Sequence, residues 1–82
     1  MNKQKLMELL EHPENLPECA YTTLPSDPTA AIYVMKGEYG YWPLNFYPTA
    51  EMAKERCDYM NKLEGVSEEE VEALVLLSMR KK

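Results

Sequence analysis

Residues able to do chemistry are scarce in this chain of 82: one histidine (His12), two cysteines (Cys19 and Cys57) and three glycines. The cysteines stand 38 positions apart, with no CxxC pair and no histidine cluster, so neither a zinc site nor a disulfide-dense secreted scaffold is expected. Both thiols are read as reduced and the protein as cytoplasmic. Three scattered glycines make no phosphate-cradling loop. His12 sits beside Pro13 at a predicted helix end, without a nucleophile in a recognisable context, and reads as a surface or cap residue rather than a general base. The carboxylate pairs Glu8/Glu11 and Glu51/Glu55 each share a helical face, yet nothing places one member in an apolar pocket that would split their pKa values. No enzyme activity, cofactor or metal is expected from these residues.

Long apolar runs are missing as well. The N-terminal segment reaches a charge after two apolar residues, short of a signal peptide core, and no run approaches the roughly 20 residues of a membrane span, so no membrane association is expected. Positive charge is also short: nine Lys and Arg face 14 Asp and Glu, a net charge of -5. Residues 1–30 carry two lysines against five acids, 31–50 balance Lys36 with Glu38, and 51–79 carry three basic residues against eight acids. Phosphate contacts by Lys and Arg supply most nucleic-acid affinity, so direct nucleic-acid binding is disfavoured. Such acidity serves solubility or a basic protein partner.

Aromatic residues, by contrast, are concentrated. Residues 30–49 hold four of the six tyrosines, the only tryptophan and the only phenylalanine. A domain of this size buries only about 60 to 65% of its unfolded surface, so its core is small and a partner or a second copy would supplement it. Strand alternation sends half of this block inward, leaving the rest for a binding face. Tyr39, Tyr41, Trp42, Phe46 and Tyr47, with the neighbouring Glu38, are therefore the candidate partner-binding residues, since exposed Tyr and Trp are common hot spots.

Periodicity predicts an α+β domain with a helix over 1–12, where Leu6, Met7, Leu9 and Leu10 recur at helical spacing, stopped by His12-Pro13. Prolines at 13, 17, 25 and 28 predict an extended arm over 13–29, pinned by Leu16, Tyr21 and Leu24, with a turn at Pro25-Ser26-Asp27-Pro28. A β-hairpin or small antiparallel sheet follows over 30–47. Its strands are 31–35 and 39–44, Gly37 supplies a positive φ, Gly40 marks a bulge or close backbone approach, and Pro43 assigns the second strand to a sheet edge. Thr49 caps a helix over 49–64 whose apolar stripe is Met52, Ala53, Cys57, Tyr59, Met60 and Leu63, with Cys57 as a core residue. Gly65 ends it. Ser67-Glu68-Glu69-Glu70 forms a capping box for a last helix over 67–80, with Val71, Leu74, Val75 and Leu77 as its apolar face and Arg80-Lys81-Lys82 at the negative end of its dipole. The two helices are expected to form an αα-hairpin or an angled helix-turn-helix. A recognition helix opening with four glutamates would repel phosphates, so DNA reading is rejected and an acidic face imitating DNA is the sharper alternative.

The succession Lys-Gly-Glu-Tyr-Gly-Tyr-Trp-Pro-Leu (36–44), Thr-Ala-Glu-Met-Ala (49–53), Met-Asn (60–61), Gly-Val-Ser (65–67) and Ser-Met (78–79) resembles small uncharacterised proteins encoded by bacteriophages and other mobile elements. In such proteins the final helix runs on into an aromatic-glycine ending, where this chain has Arg80-Lys81-Lys82. The resemblance implies no activity and no site residues. It implies a setting in which small acidic proteins inhibit host defence nucleases by occupying a surface. The expected function is thus a non-enzymatic protein-binding module, as such an inhibitor; the alternatives are a subunit that self-associates as a homodimer, or a small-ligand or nucleotide binder using the aromatic hairpin.

Overall fold

The computed structural model describes residues 1–79. Helix α1 spans Lys3–Glu11, with the Asn2 side chain accepting the Lys5 N–H at 3.1 Å, and stops at His12 before a 3-10 turn over Pro13–Asn15. Strands β1 (Cys19–Leu24), β2 (Asp27–Met35) and β3 (Trp42–Phe46) form one antiparallel sheet in the order β1-β2-β3. Helices α2 (Ala50–Leu63) and α3 (Glu68–Met79) complete the expected α+β layout. The expected end of the last helix and its basic tail at 80–82 lie outside the described residues.

The arm expected over 13–29 is instead the 3-10 turn, strand β1 and the start of β2, joined by a two-residue turn at Pro25–Ser26. Proline blocks a strand only where a ladder needs its N–H. Here Pro13 and Pro17 precede the sheet, Pro25 opens the turn, and Pro28 falls in a stretch that the register skips, since Thr23 faces Ala31 while Leu24 faces Asp27. Asp27 Oδ1 steadies that irregularity by accepting from the Thr29 hydroxyl (2.6 Å) and N–H (3.3 Å).

The hairpin expected over 30–47 is present, but its second strand runs over Trp42–Phe46, not 39–44. Tyr39 to Tyr41 belong to the connecting loop. Two glycines shape that loop: Gly37 (φ +81°) lets the Glu38 N–H reach the Met35 carbonyl at 3.2 Å, and Gly40 (φ +103°) brings its N–H to the Ser78 carbonyl at 2.6 Å. Of the two readings of Gly40, close backbone approach holds. The bulge lies instead on β3 around Leu44, between the pairs Ala31↔Asn45 and Ile32↔Pro43. Pro43 sits on the edge strand, as expected.

The two faces of the sheet differ in chemistry. Ala20, Ile32 and Val34 are buried, while Cys19, Tyr21, Tyr33 and Met35, which alternate with them, are half-buried. Ala20 and Val34 cluster with Leu16, Val66, Ala73 and Leu74, so the helices cover the small-residue face. Helix α3 lies between the sheet and α1, whose Leu6, Leu9 and Leu10 pack against the same cluster. That double contact buries Ala73, Leu74 and Ser78 and half-buries Val71, Val75 and Met79, but leaves Leu77 exposed, contrary to its expected place on the buried face. Leu16 pins the segment after α1 as expected, whereas Tyr21 and Leu24 are only half-buried because both belong to an edge strand. Rather than forming an αα-hairpin, α2 and α3 each pack on β1 and β2.

Helix α2 is capped as its sequence dictates. The Thr49 hydroxyl accepts the Met52 N–H at 3.1 Å. At the other end Gly65 (φ +73°) closes a Schellman motif, its N–H reaching the Lys62 carbonyl (3.1 Å) and that of Val66 the Asn61 carbonyl (2.9 Å). Ser67 and Glu70 then exchange capping-box bonds at 2.8 and 3.2 Å.

The buried residues of α2 are Ala53, Cys57 and Asn61. Met52, Tyr59 and Leu63, expected in its buried stripe, are exposed, so the helix is rotated from the hydrophobic wheel. Asn61 explains the rotation. The Lys36 N–H bonds the Glu18 carbonyl, which sets the parity of the β1 and β2 pairing and turns the N–H and C=O of Tyr21 away from β2. Asn61 takes both, its Oδ1 accepting the Tyr21 N–H at 2.9 Å and its Nδ2 donating to the Tyr21 carbonyl at 2.8 Å. One side chain thus serves as a short fourth strand. Replacing Asn61 with Ala removes both bonds from a buried site; we expect a loss of about 2 kcal/mol in urea unfolding, at about 1 kcal/mol per bond, and an unchanged midpoint would show that water replaces the clasp at no cost.

Candidate functional site

Pairing places Tyr21 opposite Tyr33 and Tyr33 opposite Trp42, so three rings line up across the sheet on the face the helices leave uncovered. Tyr33 stacks on Trp42 with centroids 5.7 Å apart and planes at 16°, and Tyr21 lies tilted against Tyr33 at 6.4 Å. All three are half-buried. Burial pushes the Tyr21 phenol up from its usual value, and the Cys19 thiol and the Glu64 carboxylate push it further. Cys19 is raised by burial too, eased by its bond to Tyr21 and raised again by Glu64. Glu64 is exposed at the C-cap of α2.

The six candidate residues separate into four settings. Trp42 joins the ladder. Glu38 and Tyr39 line a shallow cleft of about 290 Å³ with Pro13, Leu16, Leu74 and Leu77. Phe46 pairs with Ala30 on β2, which alternation places on the helix side, so it projects from the face opposite Trp42. It is 69% exposed there because α2 and α3 pack on β1 and β2, and Tyr41 (45%) and Leu44 (41%) are also open. Tyr47 is half-buried, with its N–H on the Thr29 carbonyl at 3.0 Å. Tyr21, Tyr33 and Leu44 were not among the candidates. A turn at Pro25–Ser26 is the signal that would have brought Tyr21 beside Tyr33.

The backbone at the outer edge of β3 offers little. Pro43 has no N–H, and the N–H of Phe46 is taken by Asn45 Oδ1 at 2.8 Å. A larger cleft, about 490 Å³, opens between the β1 edge, α2 and α3, lined by Thr22, Thr23, Lys54, Cys57, Asp58 and Glu72 among others. Two of its charges pair with each other, Lys54 donating to Asp58 at 2.8 Å. At its floor Cys57 is only 2% exposed, and burial with the nearby Asp58 pushes its thiol up to about 11, with Lys54 pulling the other way.

Among the described residues no group of three His, Cys, Asp or Glu is placed to hold a metal ion, and no helix is long and apolar enough to cross a membrane. His12 stands at the end of α1, its Nδ1 3.4 Å from Glu14 Oε2 in an exposed pair. Both cysteines are free. Comparison with family models, with curated proteins and with solved structures finds no match.

Because thiolate is the reactive form, Cys57 is expected to react with an aromatic disulfide reagent at pH 7.5 only as fast as the protein unfolds, while half-buried Cys19 reacts in the native state. Stopped reactions digested and read by mass spectrometry would check the order; equal rates would mean that α2 opens readily. Tyr41→Ala and Phe46→Ala are expected to shift stability by no more than about 0.5 kcal/mol in thermal melts, as substitutions at exposed positions do.

Proposed function

We propose that this chain is a non-enzymatic protein-binding module that docks through side chains around β3 and the uncovered face of its sheet. The observation that carries this reading is the exposure of Tyr41, Leu44 and Phe46 on and beside an edge strand whose first residue, Trp42, ends the aromatic ladder. Large apolar side chains gathered around one strand are what a partner's surface desolvates, and buried aromatic anchors supply most interface energy. With Pro43 lacking an N–H and that of Phe46 engaged, strand addition has few donors at β3, so side chains carry the contact. This weakens the edge-paired homodimer as the alternative.

Net negative charge favours a basic partner surface. The resemblance to phage-encoded proteins narrows the reading to an inhibitor of a host defence nuclease, whose phosphate-binding surface is of that kind. The test is capture from bacterial lysate. Wild type is expected to retain a partner that Tyr41→Ala/Phe46→Ala loses by about 30-fold or more in affinity, at about 2 kcal/mol or more for two anchors, while Met7→Ala, exposed on α1, retains it. Equal capture by a folded double variant would remove this surface from the reading. An empty wild-type lane, followed by a stable dimer in light scattering, would replace the reading with self-association.

A further inference from the structure

The parity that turns Tyr21 away from β2 turns Thr23 away as well, since pairing runs without a break from Cys19↔Met35 to Thr23↔Ala31. Asn61 takes the outward N–H and C=O of Tyr21. Those of Thr23 have no partner among the described residues, and Thr23 lines the cleft of about 490 Å³ between β1, α2 and α3. An added strand could not run further in either direction: Asn61 fills the position toward Cys19, and β1 ends at Leu24 before Pro25. The edge therefore holds one free donor and acceptor pair beside a cleft of the size that takes small ligands and short segments.

The charges of the cleft are not equivalent. Lys54, Asp58, Lys62 and Glu68 are exposed, and Lys54 pairs with Asp58. Glu72 is half-buried and makes no hydrogen bond or ion pair among the described residues. Buried Cys57 and Val66 line the same cleft and add apolar surface. A carboxylate partly removed from water and left without a partner gains more from an incoming cation than the hydrated charges at the rim do.

We propose that this cleft takes an extended segment of a basic protein partner, whose main chain pairs with Thr23 and whose adjacent lysine or arginine reaches Glu72. This rests on the reading of the chain as a protein-binding module and gives it a second contact, at the sheet edge opposite β3. Strand alternation supplies the pattern: the partner residue opposite Thr23 shares the side of the sheet that carries Tyr21, and its neighbours turn to the helix side, where α2 and α3 wall the cleft. The long apolar stem of a basic side chain suits the walls and its charged head the carboxylate. A second copy fits less well, because it brings the same net charge of -5.

Full-length protein would be titrated with acetyl-Lys-Val-Lys amide at fixed salt while the backbone amide signal of Thr23 is followed by NMR. The signal is expected to shift saturably, with acetyl-Glu-Val-Glu amide inert. N-methylation of the central valine, which removes one strand bond, should weaken binding about fivefold. Glu72→Gln should weaken the lysine peptide about threefold, against no change for Glu8→Gln, exposed on α1. Both Gln variants keep side-chain shape, and the methylated peptide tests the strand bond on unaltered protein, so the outcome does not depend on a variant that fails to fold. Four results would overturn the proposal: no shift at Thr23, equal affinity for the methylated and unmethylated peptides, equal losses from Glu72→Gln and Glu8→Gln, or a Thr23 signal that moves on dilution of the protein alone, which would place a second copy on this edge. If the lysine peptide fails while Tyr41→Ala/Phe46→Ala still abolishes partner capture, the protein-binding reading stands and the β1 site falls.

Discussion

The arrangement of the molecule hangs on one amide. Asn61 holds the outward-facing N–H and C=O of Tyr21, and in doing so fixes the rotation of α2 over the sheet. With Asn61 turned to the β1 edge, Ala53 and Cys57 face the sheet and Met52, Tyr59 and Leu63 face outward. Small residues at that contact let helix and sheet approach closely, which suits a core whose largest fully buried side chains are only Ile32, Leu74 and Val34. A buried amide is costly unless every group it meets is satisfied, and among the described residues no buried side-chain polar atom lacks a partner.

Much of the fold was legible from local chemistry. Thr49, Gly65 and the Ser67/Glu70 box mark helix ends through hydrogen bonds made within a few residues, and the structure reproduces each. Long-range geometry was not legible. The prolines read as an arm because proline forbids a ladder bond only at particular positions, and which positions those are depends on a register set by the partner strand. The wheel for α2 failed for a related reason: it weighs apolarity, whereas the helix is oriented by a polar residue that the wheel ignores.

The candidate surface was legible in composition but not in arrangement. Concentrated aromatics at 30–49 point to a special strand, yet only pairing reveals that Trp42 and Phe46 leave β3 on opposite sides, and that Tyr21, outside the block, joins Trp42 through Tyr33. The helix layer ends at β2. β3 is consequently open on both faces, an economy available to a small domain whose two packed helices have already used the sheet's small residues.

The β1, β2, β3 meander has a consequence for how the chain reaches its fold. Every strand precedes both helices that cover the sheet, and consecutive strands are joined by short connections, so the sheet closes short loops while the helix contacts, such as Ser78 Oγ to the Met35 carbonyl at 3.3 Å, span 43 residues. Short loops cost little entropy to close and long ones more, which orders assembly from hairpins to helices. The bare sheet then offers α2 and α3 two unlike faces, and the one bearing Ala20, Ile32 and Val34 admits them closely while the ringed face holds them off. By this ordering the choice of covered face lies with the residues of β1 and β2.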